Sequence, residues 1–152
     1  MCASSDTQPL EKQNVEAAAM ACTPLPGGGV SSARGFKAAG IHGGFRRDPN
    51  RLDFALVVAD EPAACAATFT QNVFCAAPVI VSKEHLEGNS FGTARALVVN
   101  SGTANAATGP EGVEDARETA RSVADYLGCP PCEVMVASTG VIGVRLPMHV
   151  FE

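Results

Sequence analysis

Hydrophobic and polar positions divide the chain into a polar beginning and a longer part in which short apolar runs alternate with turns. Residues 1–22 are mostly polar, although their alanines predict a short helix over residues 11–22. Prolines and consecutive glycines in residues 23–29 interrupt regular structure. We therefore expect a flexible leader over residues 1–23 and a folded unit over residues 24–152.

Apolar runs bounded by turn residues predict the strands of this unit. The run at residues 94–100 is short and has an apolar centre, which predicts a strand buried on both faces of a sheet. The run at residues 64–70 is a weaker candidate, because only Thr68, Phe69 and Thr70 favour a strand. The remaining strand candidates are residues 36–45, 52–59 and 134–137, and an Asp-Pro-Asn sequence predicts a turn over residues 46–51.

The clearest helical pattern covers residues 111–127. Thr108 and Glu111 have the spacing of a capping box at its start. Gly128 is a typical residue for the C-terminal end of a helix. The apolar side chains that recur at spacings of three and four are Val113, Ala116, Ala120, Val123 and Leu127.

A second helix is predicted over residues 76–86, although this segment is ambiguous. Val79-Ile80-Val81 favours a strand, whereas Pro78 is tolerated in the first turn of a helix. A third helix is expected to begin within residues 146–152. Because strand, helix and strand follow one another towards the C-terminus, the sequence predicts the α/β class, arranged as a layered α/β sandwich.

Composition and charge exclude several classes of protein. The chain is 46% hydrophobic and 18% charged, which is too apolar for a disordered chain. No apolar run approaches the roughly 18 residues of a membrane span. The formal net charge is −5, and basic residues cluster only at Arg46, Arg47 and Arg51. We therefore expect neither a nucleic-acid partner nor a membrane.

The six cysteines indicate a reducing compartment rather than a disulfide framework. Cys65 and Cys75 lie among apolar residues, where cysteine behaves as a small hydrophobic side chain. The polar leader resembles neither a secretory signal nor an acid-poor transit peptide, so we expect a cytoplasmic protein.

Cys129-Pro130-Pro131-Cys132 has the spacing of a redox pair or of half a zinc site. A zinc site needs further ligands at suitable spacing, but His42, His85 and His149 are scattered. A redox pair normally precedes a helix, whereas this one follows the end of a helix. We therefore predict a structural turn and no metal site.

Two groups of small polar residues directly follow predicted strands. Residues 100–106 follow one buried strand and residues 138–143 follow another. The ends of strands in α/β folds carry binding loops, and Gly140 permits a backbone geometry that turns N–H groups outward. The alternative for both groups is an ordinary turn after a strand. Neither has the sequence of a phosphate-binding loop.

Several motifs in order resemble the bifunctional ornithine acetyltransferase / glutamate N-acetyltransferase (ArgJ) family over residues 27–152. The most specific are Asn100-Ser101-Gly102-Thr103-Ala104-Asn105-Ala106-Ala107-Thr108-Gly109 and Ser138-Thr139-Gly140-Val141-Ile142-Gly143. The other matching segments are residues 28–30, 34–40, 52–57, 69–72, 76–79 and 146–148.

The resemblance implies an enzyme that transfers an acetyl group from N-acetylornithine to glutamate in arginine biosynthesis. Some members also take the acetyl group from acetyl-CoA, and no other cofactor is implied. The precursor cuts itself before a threonine, which becomes the nucleophile of a β chain, and the two chains form an α/β heterotetramer. Thr139 and Gly140 match the family's oxyanion pair.

The resemblance places this chain in the N-terminal, α-chain portion of such an enzyme. The self-cleavage motif, the nucleophile and the substrate-binding residues are expected beyond residue 152. An alternative is a catalytically inert fragment or truncated gene product of that family. A nucleotide-binding α/β module is a third hypothesis, which the absence of a phosphate motif disfavours.

Overall fold

The computed structural model describes residues 23–88 and 92–151. The predicted helix over residues 11–22 lies outside them. Short 3₁₀ turns are found at Val30–Ser32, Pro131–Glu133 and Met148–Phe151, and the last replaces the helix expected near the C-terminus. The regular elements are β1 (Phe36–Ile41), β2 (Phe54–Ala64), α1 (Ala77–Gly88), β3 (Thr93–Thr103), α2 (Gly109–Leu127) and β4 (Val134–Val141).

The four strands form one mixed sheet in the order β1-β2-β3-β4. β1, β2 and β3 are joined by antiparallel pairing, whereas β3 and β4 are parallel. A parallel pair needs a crossover connection, and α2 supplies it. This architecture confirms the predicted α/β class.

Both helices pack against one face of the sheet. The buried core contains Val81 of α1, Ala120 of α2, and Val98 and Val134 of the sheet. Along β3, Val98 is buried while the neighbouring Leu97 is 39% exposed. The prediction that residues 94–100 are buried on both faces is therefore wrong, because the described helices cover only one of them.

Helix α2 confirms the predicted periodicity but not the predicted cap. It begins at Gly109, and the Thr108 side chain makes no capping hydrogen bond to it. The Thr108 hydroxyl instead donates to Asn105 Oδ1 at 2.8 Å. Gly128 ends the helix as predicted, in the left-handed conformation with φ 67°.

Two strand predictions are corrected by tertiary contacts. Residues 65–70 are outside the sheet, because β2 continues from residue 54 through a register shift and ends at Ala64, opposite Thr93. β1 stops at Ile41 rather than residue 45, because the Asp53 carboxylate accepts hydrogen bonds from the backbone of the next loop.

The helix predicted over residues 76–86 is confirmed as α1, with Pro78 in its first turn. The strands predicted at residues 52–59 and 134–137 are confirmed but are longer, and form β2 and β4. No helix in the described residues is long and apolar enough to span a bilayer.

Candidate functional site

The two polar motifs meet where β3 and β4 end side by side. In the parallel register, Ser101 lies opposite Thr139 and Gly102 lies opposite Gly140. The first motif enters its loop later than predicted, since β3 continues to Thr103. The structure therefore brings the residues of both motifs together at one edge of the sheet.

Glycine is required at both positions of the facing pair. Gly140 has φ +135°, and a Cβ there would lie 2.3 Å from the carbonyl carbon and oxygen of Gly102. Gly102 has φ +126°, and a Cβ there would lie 2.8 Å from the Phe45 carbonyl oxygen. Three backbone segments are thus stacked at a spacing that no larger residue allows.

The Gly140 N–H is directed away from β3. Backbone groups alternate between the two edges of a strand, and the Val141 carbonyl faces β3, where it accepts from the Ala104 N–H at 2.9 Å. The Val136 N–H and carbonyl face the opposite edge, where both bond to the Ser82 hydroxyl. Gly140 lies four residues after Val136 in the same strand. Because the backbone groups alternate, its N–H points to the same outer edge of β4, away from β3.

Thr139 is the residue before Gly140, so its N–H points to the other edge of the strand, towards β3. Its side chain, which is exposed, lies on the sheet face opposite the helices. The donors that this strand end offers to a ligand are therefore the Thr139 hydroxyl and the Gly140 N–H. Both lie on residues that pair in parallel register with β3, and an oxyanion site requires its donors to be fixed before charge develops.

The loop after β3 is held by its own polar side chains. Asn105 is fully buried, with φ 46°, and its Nδ2 donates to the Gly112 carbonyl at 2.7 Å. The Ala77 N–H of α1 donates to the Asn105 carbonyl at 3.2 Å. These groups serve the loop itself, which favours the turn interpretation of residues 104–108 over a ligand-binding one.

The turn after β4 is anchored on two sides. The Gly143 N–H donates to the Ala106 carbonyl at 2.8 Å. Arg145 donates through Nε and Nη2 to the two carboxylate oxygens of the nearly buried Asp115, at 2.8 and 2.6 Å. The chain is thus fixed at two points in the turn that follows the end of β4 at Val141.

His85 and the Cys-Pro-Pro-Cys segment lie at the other end of β4, whereas His42 lies in the loop between β1 and β2. His85 Nδ1 is 2.9 Å from the Val134 carbonyl oxygen, and His42 Nδ1 is 3.1 Å from the Arg51 carbonyl oxygen. Burial, with a smaller effect of Glu133, raises the pKa of the Cys129 thiol above its ordinary value. In residues 23–88 and 92–151, no three His, Cys, Asp or Glu side chains are grouped as a metal site requires.

The residue that organises the loop between β1 and β2 was not among the predicted site residues. Asp53 has a fully buried side chain that bonds to the loop backbone, and Arg46 reaches from this loop to Ser101. A carboxylate between Leu52 and Phe54, inside the apolar run predicted over residues 52–59, was the available signal, because a buried charge needs partners.

Fold and site together define a layered α/β protein with a candidate oxyanion site at the ends of two parallel strands. Its family follows from the sequence: the ArgJ family model matches residues 37–152. The chain belongs to the ArgJ family, which confirms the resemblance.

Curated relatives agree with this assignment. The arginine biosynthesis bifunctional protein ArgJ of Geobacter sulfurreducens is 50% identical over 118 residues, which are 78% of this chain and 29% of that protein. The chloroplastic protein of the same name from Ostreococcus lucimarinus is 49% identical over 121 residues, 80% of this chain and 26% of its own length. The chain thus spans little more than a quarter of these relatives.

Solved structures also match. The crystal structure of the arginine biosynthesis bifunctional protein ArgJ from Bacillus halodurans has a TM-score of 0.78 at 43% identity, covering 84% of this chain and 64% of that one. The ornithine acetyltransferase of Mycobacterium tuberculosis, in complex with ornithine, has a TM-score of 0.76 at 42% identity, covering 84% and 67%.

Proposed function

We propose that this chain is the N-terminal, α-chain segment of an enzyme that transfers an acetyl group from N-acetylornithine to glutamate in arginine biosynthesis. Membership of the ArgJ family and the names of its relatives support this activity. The observation that carries the role of this segment is the Gly102–Gly140 backbone contact, which fixes outward-facing donors at the strand end.

In this mechanism a threonine outside the present chain attacks the acetyl carbonyl of N-acetylornithine. Its hydroxyl proton passes to its own α-amine, which serves as the base and then protonates the departing ornithine amine. The Thr139 hydroxyl and the Gly140 N–H stabilise the tetrahedral oxyanion. The amine of glutamate then attacks the acetyl-threonine ester through a second oxyanion. Its proton passes to the α-amine of the threonine and on to the threonine oxygen as the ester C–O bond breaks, and N-acetylglutamate leaves.

The proposal includes the partners of this segment. A β chain cut from the same precursor would supply the nucleophile, and the two chains would form an α/β heterotetramer. Acetyl-CoA would be an alternative acetyl donor, with no other cofactor. We also propose a reducing, cytoplasmic location, which the four free cysteines of the described residues support, although several relatives are named as chloroplastic.

A chimeric enzyme tests this function. In it, residues 37–152 of this chain replace the matched segment of the Geobacter sulfurreducens relative; we call this protein the chimera. A control protein carries the corresponding segment of the Dehalococcoides mccartyi relative, which is 46% identical to this chain over 125 residues. We expect both proteins to mature and to transfer acetyl from N-acetylornithine to glutamate. An active control beside a folded, inactive chimera would overturn the proposal and favour an inert family member.

A further inference from the structure

The loop between β1 and β2 is organised around one buried carboxylate. Asp53 accepts hydrogen bonds from the Gly43 N–H at 2.6 Å and the Arg46 N–H at 2.7 Å. His42 Nδ1 lies 3.3 Å from its Oδ2. Burial is the largest influence on the Asp53 pKa and raises it, but the backbone donors and His42 together lower the pKa below its ordinary value. The carboxylate is therefore a charged anchor for this loop.

The anchored loop lies directly against the end of β3. Arg46 donates to the Ser101 hydroxyl through Nε at 3.2 Å and Nη2 at 2.6 Å. The Ser101 N–H donates to the Asp53 carbonyl at 2.7 Å. The Phe45 carbonyl oxygen lies 2.8 Å from the position that a Cβ of Gly102 would take, which is too close for a side chain there. The loop thus holds both the side chain and the backbone of this strand end.

These contacts connect the loop to the candidate oxyanion site. Ser101 and Gly102 are the register partners of Thr139 and Gly140 on β4. Any shift of Ser101 or Gly102 moves the strand that carries the two donors. The half-buried Arg46 side chain contributes the two hydrogen bonds to Ser101, and its Cγ lies 3.1 Å from the position that a Cβ of Gly102 would take.

We propose that Arg46 is a positioning residue that, together with Asp53, fixes through Ser101 the strand end carrying Thr139 and Gly140. It contacts no reacting atom in this scheme. Charge-assisted hydrogen bonds suit the role, because they are stronger and more directional than neutral ones. The loss of kcat expected without Arg46 rests on the proposed function, whereas the expected loosening of the pairing between β3 and β4 does not.

Steady-state kinetics of the chimera test the first consequence. We expect Arg46→Gln to lower kcat by about 10- to 100-fold with little change in KM, the usual size of effect when a supporting residue misplaces a catalytic group. Arg46→Lys should recover part of the loss, because it keeps a charged donor for Ser101. Arg47→Gln is the matched control, since Arg47 is adjacent and exposed.

Hydrogen–deuterium exchange tests the second consequence without using activity. Arg46→Gln should speed exchange of the Thr139 and Val141 N–H groups, which face β3, while Arg47→Gln should leave it unchanged. Unchanged exchange in Arg46→Gln would overturn the inference, even with a lower kcat, because Arg46 would then act directly. Faster exchange in a chimera without acetyl transfer would support the positioning role and contradict the proposed function.

Discussion

At the scale of single residues, the two glycines near the end of β4 differ in what a Cβ at each position would meet. Gly140 combines a positive φ with backbone atoms of Gly102 where its Cβ would lie. Gly143, three residues on, also has a positive φ of 79°, but nothing lies within 4 Å of its Cβ position. A Cβ at Gly143 would therefore cause backbone strain only, whereas a Cβ at Gly140 would also clash with the backbone of β3.

We predict that Gly140→Ala is far more damaging to the chimera than Gly143→Ala. The Gly143 variant should lose about 1–2 kcal/mol of stability, the cost of a left-handed conformation with a Cβ. The Gly140 variant has the same kind of strain and must also separate β3 from β4. Thermal unfolding of both variants measures the difference, and equal losses would show that the close backbone contact is unimportant.

The Cys-Pro-Pro-Cys turn gives a second prediction at this scale. Replacing Cys129 and Cys132 together by serine should leave the acetyl transfer of the chimera within a few-fold of wild type. Burial disfavours the Cys129 thiolate, so its alkylation by iodoacetamide at neutral pH should be slow and should accelerate only at strongly alkaline pH. Loss of activity together with loss of a bound metal in the double variant would contradict the structural interpretation.

At the scale of elements, α1 protects part of the outer edge of β4. The buried Ser82 hydroxyl accepts from the Val136 N–H at 2.9 Å and donates to the Val136 carbonyl at 2.8 Å. His85 contacts the Val134 carbonyl two residues earlier. Beyond Val136, none of the described strands pairs with this edge, and Gly140 lies there. Helix α1 thus supplies hydrogen-bond partners to the backbone of β4 at Val134 and Val136 and leaves the edge at Gly140 uncovered.

We predict that Ser82→Ala destabilises the chimera by about 1–3 kcal/mol, because it leaves a buried N–H and a buried carbonyl without partners. Lys83→Ala is the matched control, since Lys83 is the next residue of the same helix and half-exposed, and its ion pair with Glu87 is 3.8 Å long. Urea unfolding of the two variants provides the comparison. A Ser82→Ala loss as small as that of the control would mean that the hydroxyl is dispensable to this edge.

The elements that the sequence predicted well are those with local signals. The periodicity and terminal glycine of α2 and the apolar centre of β3 are readable from neighbouring residues. The strand expected at residues 64–70 failed because the register shift in β2 depends on pairing with β3. The end of β1 depends on Asp53, which is more than ten residues away, so no local pattern marks it.

The same distinction applies to the candidate site. The two polar motifs were identifiable, and the family resemblance selected Thr139 and Gly140 within one of them. The register of β3 and β4 places Gly102 opposite Gly140. The alternation of backbone groups along β4 directs the Thr139 N–H towards β3, so the hydroxyl of Thr139 is the group available to a ligand. The role of Arg46 depends on a contact with Ser101 across 55 positions of sequence.

At the scale of the whole molecule, apolar side chains are exposed on the sheet face opposite the helices and at the tip after β4. Leu97 and Phe36 are exposed on the sheet. Val141, Ile142 and Val144 are exposed at the tip that follows the candidate donors. Contiguous apolar surface of this kind normally marks a contact with another chain or segment.

We predict that the 152-residue chain expressed by itself associates and has no acetyltransferase activity. Association follows from the exposed apolar face and the unpaired edges of the described sheet, and inactivity follows from the nucleophile proposed to lie on another segment. Light scattering after size exclusion and an N-acetylornithine assay against a heat-killed control are the measurements. A monodisperse monomer that melts cooperatively would contradict the predicted association, and turnover above the control would contradict the predicted inactivity.

The most direct test of the account is the steady-state kinetics of fully matured chimera carrying Thr139→Ala, with Thr139→Ser as the variant that keeps the hydroxyl. We predict a kcat about 10²–10³-fold lower for the alanine variant, the usual loss for one oxyanion donor. KM should change little, because the interaction strengthens mainly in the transition state. The serine variant should stay close to wild type. A wild-type kcat in matured Thr139→Ala enzyme would place the oxyanion site elsewhere and leave this strand end as an ordinary turn.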